Sequence, residues 1–380
     1  MLACDPLPPK CIPTFRQRVV TEDRIMGAQD RHGRRSKYLA GAVLLTLVAL
    51  ADAGSESALA GAGGKFVSFS VNGSQITYVF GGNNNGFVTG QYTDSAGVLH
   101  GYMRAPDGTI TSFDPTGSVN TRPDCINDGN TIAGDYTDAE GVERGFLRSA
   151  DGTIAVFEAA PSTDTFVSSI NDKGVLTGVS GPSDGQHHGF VRAADSTITE
   201  FDPSGSLTTF AASINGKGEI AGAYVDGNRV THGFVRTAAG AITSFDAPDA
   251  YDFTDAASIN DNGLIAGYYE DPDAFNNDGF VRAADGTITE FEVPNAMYTF
   301  ALSINQHGTI AGSYVPDENA YMRGFRRNSD GTIRTFAPHG EGPYPLAQVV
   351  NINDEGVIAG WYANNKNDMH TVVRGFISVK

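Results

Sequence analysis

Short apolar and β-branched runs, each closed by Asn, Asp or Gly, fill the chain from residue 64 onward and leave no stretch patterned for a useful helix. One unit reads as four strands. A first run ends in Ser-Ile-Asn, a second reads Ile-Ala-Gly-x-Tyr, a third Gly-Phe-Val-Arg and a fourth Thr-Ile-Thr-x-Phe. Asn-Asp-x-Gly between the first two and Ala-Asp-Gly-Thr between the last two are hairpin turns, because Asn and Asp bond their own backbone and Gly supplies a positive φ.

The unit recurs. An Asn-x-x-Gly-x-apolar-small-Gly motif begins at Asn83, Asn127, Asn171, Asn215, Asn260, Asn305 and Asn353, and its final glycines (Gly90 to Gly360) are spaced 44, 44, 44, 45, 45 and 48 apart. Four strands in about 45 residues is the arithmetic of a propeller blade, so the chain is expected to be an all-β, seven-bladed β-propeller over residues 64–380. The last unit stops after its third strand. Residues 64–70 (GKFVSFS) align without gaps with the fourth strand of the first unit, Phe66 against Ile110 and Phe69 against Phe113. The amino-terminal strand is thus expected to complete the carboxy-terminal blade, which leaves no open sheet edge at the seam.

Residues 1–60 read as an address. A basic stretch (31–37, RHGRRSK) precedes an apolar run from Tyr38 to Leu50, and Ala58-Leu59-Ala60 is a small-x-small cleavage site, the order of a secretory signal. The run is shorter than the roughly 20 residues a membrane span needs. Met26 gives a more ordinary signal length than Met1. The expected protein is exported, to the periplasm, cell surface or beyond, with no membrane span.

Charge narrows the partners. Residues 1–60 hold 8 Lys/Arg and 6 Asp/Glu of the chain's 26 and 44, so the remainder carries −20. Such a surface repels phosphate backbones, and nucleic acid is not expected as a partner. Of Cys4, Cys11 and Cys125 only the last follows the signal, so no intrachain disulfide is expected in the processed chain. Cys125 stands where other units have Ser169, Ser213, Ser258 and Ser303, as a buried substitute for serine.

The units resemble the extracellular HAF-repeat family, through His-Gly-Tyr or His-Gly-Phe at His100, His188 and His232 and through Ser-Ile-Asn-Asp-x-Gly-x-Ile-Ala-Gly in several units. Gly replaces the Ala of the family's name motif throughout. The resemblance implies an exported, repeat-built protein and brings no catalytic residues with it.

Residues present in every unit serve a need that every unit has. An Arg column (Arg104, Arg148, Arg192, Arg236, Arg282, Arg326) and an acid column (Asp114, Glu158, Asp202, Asp246, Glu292) are expected to pair within a blade or to leave the acids as a negative ring. Asp271, Asp273 and Asp278 miss the spacing of a calcium loop. No nucleophile elbow, zinc motif or phosphate loop occurs, and no metal or cofactor is expected. Departures from the repeat are the better guide. The distance from motif glycine to Gly-aromatic is 11 residues in four units, 12 in two and 15 in the last, and the connection into the last unit is also long. These two loops bring together His339, Tyr344, Trp361 and His370 as candidate ligand-binding residues. The leading expectation is a non-catalytic exported binding module for a glycan or protein partner. A propeller hydrolase or lyase acting on a glycan or lactone, using His339, Glu341 and His370, and a structural surface protein are the alternatives.

Overall fold

The computed structural model describes residues 57–61, 64–71, 74–161, 163–182, 185–272, 276–317, 321–338, 346–363 and 372–379. After β1 (Ser57–Gly61) and β2 (Gly64–Phe69), the first repeat supplies β3 (Ile76–Gly82), β4 (Val88–Thr93), β5 (Leu99–Arg104) and β6 (Ile110–Phe113). The second supplies β7 (Asn120–Ile126), β8 (Ile132–Thr137), β9 (Glu143–Arg148) and β10 (Ile154–Phe157). Strands β11 to β26, within residues 164–336, continue the same order for four more repeats. The chain closes with β27 (Leu346–Ile352), β28 (Ile358–Ala363) and β29 (Arg374–Val379).

Each of the first four repeats is a four-stranded antiparallel sheet in chain order, and the fifth and sixth are linked into one eight-stranded sheet by a parallel contact between Asn277 and Tyr298. The last sheet has the order β1-β2-β29-β28-β27. Within it Phe69 pairs with Gly375 and Phe66 with Ser378. That is the register in which Phe113 pairs with Gly101 and Ile110 with Arg104 in the first repeat. Strand β2 therefore holds in the last sheet the place that β6 holds in the first.

Close approach explains the two glycines of the repeat. A Cβ on Gly134 would lie 2.1 Å from the carbonyl oxygen of Arg122, and one on Gly145 would lie 2.4 Å from the ring of Phe157. The fourth-strand phenylalanine lies across the glycine of its own sheet and meets the next repeat edge-on. Phe113 and Phe146 are 6.0 Å apart at 70° and Phe245 and Phe280 6.0 Å apart at 85°. Phe69 meets Tyr102 in the same way, at 6.2 Å and 74°.

The Arg column has a different role from the expected one. Arg148 stacks on Phe113, Arg192 on Phe157 and Arg236 on Phe201, with guanidinium carbons 4.8–5.0 Å from the ring centres. Arg104 covers Phe69 at 5.0 Å. In the sixth repeat the position belongs to Arg327, over Phe291, and not to Arg326. A guanidinium lies flat on an aromatic face more favourably than it pairs with an exposed carboxylate. The acid column instead takes the residue before the Gly-aromatic pair. His100 Nδ1 is 2.7 Å from Asp114, His188 Nδ1 2.6 Å from Asp202, His232 Nδ1 2.8 Å from Asp246, and Arg144 pairs with Glu158.

The motif asparagines do more than shape turns. The Nδ2 of Asn83 donates to the carbonyl of Asn127, which donates to Asn171, and so on through Asn215, Asn260, Asn305 and Asn353. Asn353 donates back to the carbonyl of Asn83 at 3.2 Å. Serines tie the same neighbours. Ser169, Ser213, Ser258 and Ser303 accept from the backbone N–H of an isoleucine in the following repeat, at 3.1–3.3 Å. Cys125 faces the N–H of Ile170 in that role, and burial pushes its thiol well above the usual range. It is a packing residue with no thiolate to offer.

Candidate functional site

Of the four residues singled out from the loops, His339, Tyr344 and His370 lie outside the described residues. Glu341, the acid of the hydrolase alternative, does too. Trp361 is in β28 and half-buried, and its ring stands edge-on to Tyr78 of the first repeat at 5.0 Å and 88°. It packs on a cluster of Tyr78, Phe80, Ala363 and Val373 where the last repeat meets the first.

The position of Trp361 leads to a wider site. Between two repeated layers every sheet has a pair of facing residues that is different in each repeat. On one side lie the buried threonines Thr77, Thr121, Thr165, Thr209, Thr254 and Thr299, no more than 1% exposed. The hydroxyls of Thr77, Thr165, Thr254 and Thr299 accept a backbone N–H of the incoming connection, as Thr165 does from Ala159 at 2.9 Å, while Thr121 donates to Ser118 and Thr209 to Asp202. On the other side run the linked asparagines. The pairs between them are Tyr78–Gln91, Arg122–Asp135, Phe166–Val179, Phe210–Ala223, Asp255–Tyr268, Phe300–Ser313 and Gln348–Trp361. A repeat that holds its neighbours constant yet varies one layer has been released from a shared structural requirement there. The sequence carried this signal, but in strand interiors and not in the loop lengths.

Contacts run from one repeat to the next in this layer. Trp361 touches Tyr78, the ring of Phe80 lies 5.2 Å beneath the guanidinium of Arg122, and Tyr268 meets Phe300 edge-on at 5.1 Å. Arg122, Phe166, Phe300 and Trp361 are partly exposed, while most of the other members are buried.

The second repeat brings buried charge into the layer. Where other repeats read Thr-Phe-Val-Ser-Ser or Thr-Phe-Ala-Ala-Ser, this one reads Thr121-Arg122-Pro123-Asp124-Cys125. Arg122 Nε lies 2.9 Å from Asp124 Oδ1, and their side chains are 16% and 10% exposed. Asp135, directly across from Arg122, is 4% exposed. Burial and the charge of Asp124 hold Asp135 well above the ordinary carboxylate range, and burial also raises Asp124. Two carboxyls in one desolvated space share a proton more readily than they both ionise. Glu143, raised by burial, accepts a hydrogen bond from Thr137 at 3.0 Å, and its own backbone N–H donates to Asp164 of the third repeat at 3.0 Å. The group therefore sets one cation beside two buried carboxyls, both raised above the ordinary range, within one sheet. Clusters of this kind mark functional sites more often than chance.

A second acidic group lies in the fifth repeat. Asp278 takes the place of His100, His188 and His232, opposite Glu292. Burial, Glu292 and Asp271 push its carboxyl up to about 6. Among the described residues no group of three or more His, Cys, Asp or Glu is arranged to hold a metal ion.

No protein-family model matches the chain, and no curated protein does. Solved structures do match. A streptogramin B lyase aligns at 16% identity over 82% of this chain and 96% of its own, with a TM-score of 0.53. A catalytically inactive virginiamycin B lyase from Staphylococcus aureus with quinupristin aligns at 14% identity over 83% and 99%, TM-score 0.55. The β-propeller domain of the Trilobed protease from Pyrococcus furiosus, described as having an open velcro topology, aligns at 12% over 80% and 95%, TM-score 0.55. At these identities the chain is similar to β-propellers in fold alone.

Proposed function

We propose that residues 64–380 are a closed seven-bladed propeller that acts as an exported binding module, with its ligand seated at the variable layer between the threonines and the asparagines. Seven sequence repeats, the pairing of β2 with β29 and the return of the asparagine chain from Asn353 to Asn83 support the ring. Export rests on the basic, apolar and small-x-small order of residues 31–60. Strand β1 fits that processing. A cut after Ala60 removes most of it and leaves β2 as the outer strand of a four-stranded sheet, like β6 in the first.

The observation that carries the binding reading is a layer of the strand interiors whose facing pair changes from repeat to repeat, with partly exposed aromatic rings next to a charged pair. Trp361 belongs to this layer, and His339, Tyr344 and His370 stay candidates on the sequence alone. The test is a screen of glycans and candidate protein partners against the wild type, Trp361→Ala and Phe300→Ala, each checked for folding. Losing an aromatic anchor is expected to weaken a bound ligand at least tenfold, about 1.4 kcal/mol or more. A ligand indifferent to both substitutions but sensitive to changes in the asparagine turns at the other end of the sheets would move the site there.

One second reading has an observation of its own. The buried Asp124–Asp135 pair beside Arg122 has the makings of a general acid, as a glycan hydrolase or lyase requires. Turnover of a bound glycan that is abolished in Asp135→Asn would establish it in place of simple binding.

A further inference from the structure

We propose that the fifth repeat docks a partner polypeptide through a lysine or arginine side chain, which meets Asp271, Asp278 and Glu292 beside the exposed ring of Tyr251. The inference goes beyond the binding reading above and does not depend on what the variable layer holds.

The sister repeats show what these positions accommodate. At one end of each sheet the second strand finishes, the third begins and the fourth finishes. In the first repeat His100 lies there between two acids, with Nε2 3.4 Å from Asp94 and Nδ1 2.7 Å from Asp114. Arg144 bonds both Asp138 and Glu158 in the second repeat. In the fourth, His232 is 3.7 Å from Asp226 and 2.8 Å from Asp246. The residue before the Gly-aromatic pair is His or Arg in six repeats, with His188, Arg323 and Arg374 as the other three. The fifth repeat keeps both acids. Asp271 follows Gly267 by four residues, as Asp94 follows Gly90, and Glu292 comes directly after Phe291, as Asp114 does after Phe113. The central position, however, is Asp278. A frame that seats a cation in three sister repeats here carries a third carboxyl.

Acids act on Asp278 from each neighbouring element. Asp271 ends β20 (Ile265–Asp271), Glu290 lies in β22 (Ile288–Phe291) and Glu292 follows it. With burial, these three hold the Asp278 carboxyl at about 6. Asp249, on the connection into the repeat, donates its N–H to Glu290 Oε1 at 3.2 Å and raises Glu290 by its charge. The group faces outward: Asp249 and Glu292 are exposed, and Asp271, Asp278 and Glu290 are partly exposed. Exposure of an aromatic side chain is a separate observation in the same place. Tyr251, on that connection, is 61% exposed, the most open of the large apolar side chains among the described residues. Its N–H donates to the carbonyl of Glu270, next to Asp271, at 3.0 Å. Lysine and arginine join a cationic head to an apolar stem, so the head meets the carboxyls while the stem covers the ring. An anionic partner is repelled, and a neutral one leaves the acids facing one another. The described acids are not grouped to enclose a metal ion.

The experiment is calorimetric titration of the exported protein, at physiological salt, with a short acetylated peptide that carries one arginine among apolar residues. Its citrulline counterpart, similar in shape without the charge, is the comparison. The arginine peptide is expected to bind about tenfold more tightly than the citrulline one, and Tyr251→Ala to weaken it about tenfold. Asp278→His gives the repeat a cation of its own, as in three sister repeats, and is expected to weaken the arginine peptide as far with no loss of melting temperature. Asp278→Asn replaces it in the test if the histidine variant does not fold, with a smaller loss expected. Asp330→Asn, which removes an acid at the other end of the sheets, is expected to change nothing. Affinity is expected to fall between pH 7 and pH 5, because a protonated Asp278 no longer attracts a cation. Equal binding of the two peptides overturns the inference, as does arginine-peptide binding that survives the substitutions at Asp278. Calcium chloride that binds where the peptide does not, and is lost in Asp278→His, overturns it in favour of a metal site.

Discussion

Asp278 shows what one residue contributes when the repeat around it is known. In the first, third and fourth repeats this position is a histidine bound to an acid, and His100 is an example. Burial opposes its charged form, yet Asp114 and Asp94 raise its pKa overall. Asp278 faces Glu292 and Asp271 with the wrong sign, and its folded pKa of about 6 lies above the 3.8 of a free carboxyl. A carboxyl that binds its proton more tightly when folded makes the folded state lose stability as pH rises from about 4 to about 6. Asp278→Asn is therefore expected to raise the melting temperature at pH 7, by an amount corresponding to about 1 kcal/mol after allowance for solvent screening, and to have no effect at pH 4. Equal melting curves at both pH values would mean that Asp278 is as well solvated as any surface acid. The residue scale is also where the sequence was hardest to read. Arg122 and Asp124 stand out once the strand interiors are aligned, but their burial and their meeting with Asp135 depend on sheet register. Whether a charged residue replacing Phe lies in solvent or between sheets is not written in its own column. Cys125 was readable because its replacement by serine in other repeats already said what kind of space it fills.

At the level of the strand and turn, sequence and structure agree closely, since each unit carries its own punctuation. The hairpin asparagines, the two glycines that admit a carbonyl or a ring, and the β-branched runs are local requirements. Relations between repeats were less legible. The Arg column was expected to find acids, and it finds phenylalanines of the preceding repeat, a contact about 35 residues back in sequence that no local pattern displays. The asparagines were legible as turn formers and not as links. Asn260 is 2% exposed, donates to the carbonyl of Asn305 and accepts from the N–H groups of Asn262 and Leu264. Asn260→Ala takes the acceptor from two part-buried N–H groups and one of two donors from the Asn305 carbonyl, which keeps Gly308, and a loss of roughly 2 kcal/mol is expected in chemical denaturation. Asn260→Asp keeps the acceptor but not the donor, and is expected to lose less. A neutral Asn260→Ala would reduce the linked asparagines to turn residues after all.

For the whole molecule, the proposed ring makes a demand that its parts do not. Phe66 is 2% exposed and packs on Phe336 and Phe376 with ring centres 5.3 and 5.7 Å away, and Phe69 supports both Tyr102 and Arg104. Deleting residues 64–70 removes two core phenylalanines and uncovers β29, the strand they pair with. Each phenylalanine is worth about 3–5 kcal/mol by the usual cost of truncation to alanine. The melting temperature is expected to fall by ten degrees or more with increased aggregation, and adding the seven residues back as a peptide is expected to recover part of the loss. An unchanged melting temperature would show that the carboxy-terminal sheet is stable with three strands.

The pairing of β2 with β29 also sets an order in time. The first strand of the fold waits for the last one, so a nascent chain that has completed six repeats still has an unsatisfied edge at each end. Folding to the final state can begin in any repeat, but it cannot finish until β29 is free to pair with β2. A protein built this way gains its last sheet only when its most distant strands meet, so the contact slowest to form is also the one that completes the fold.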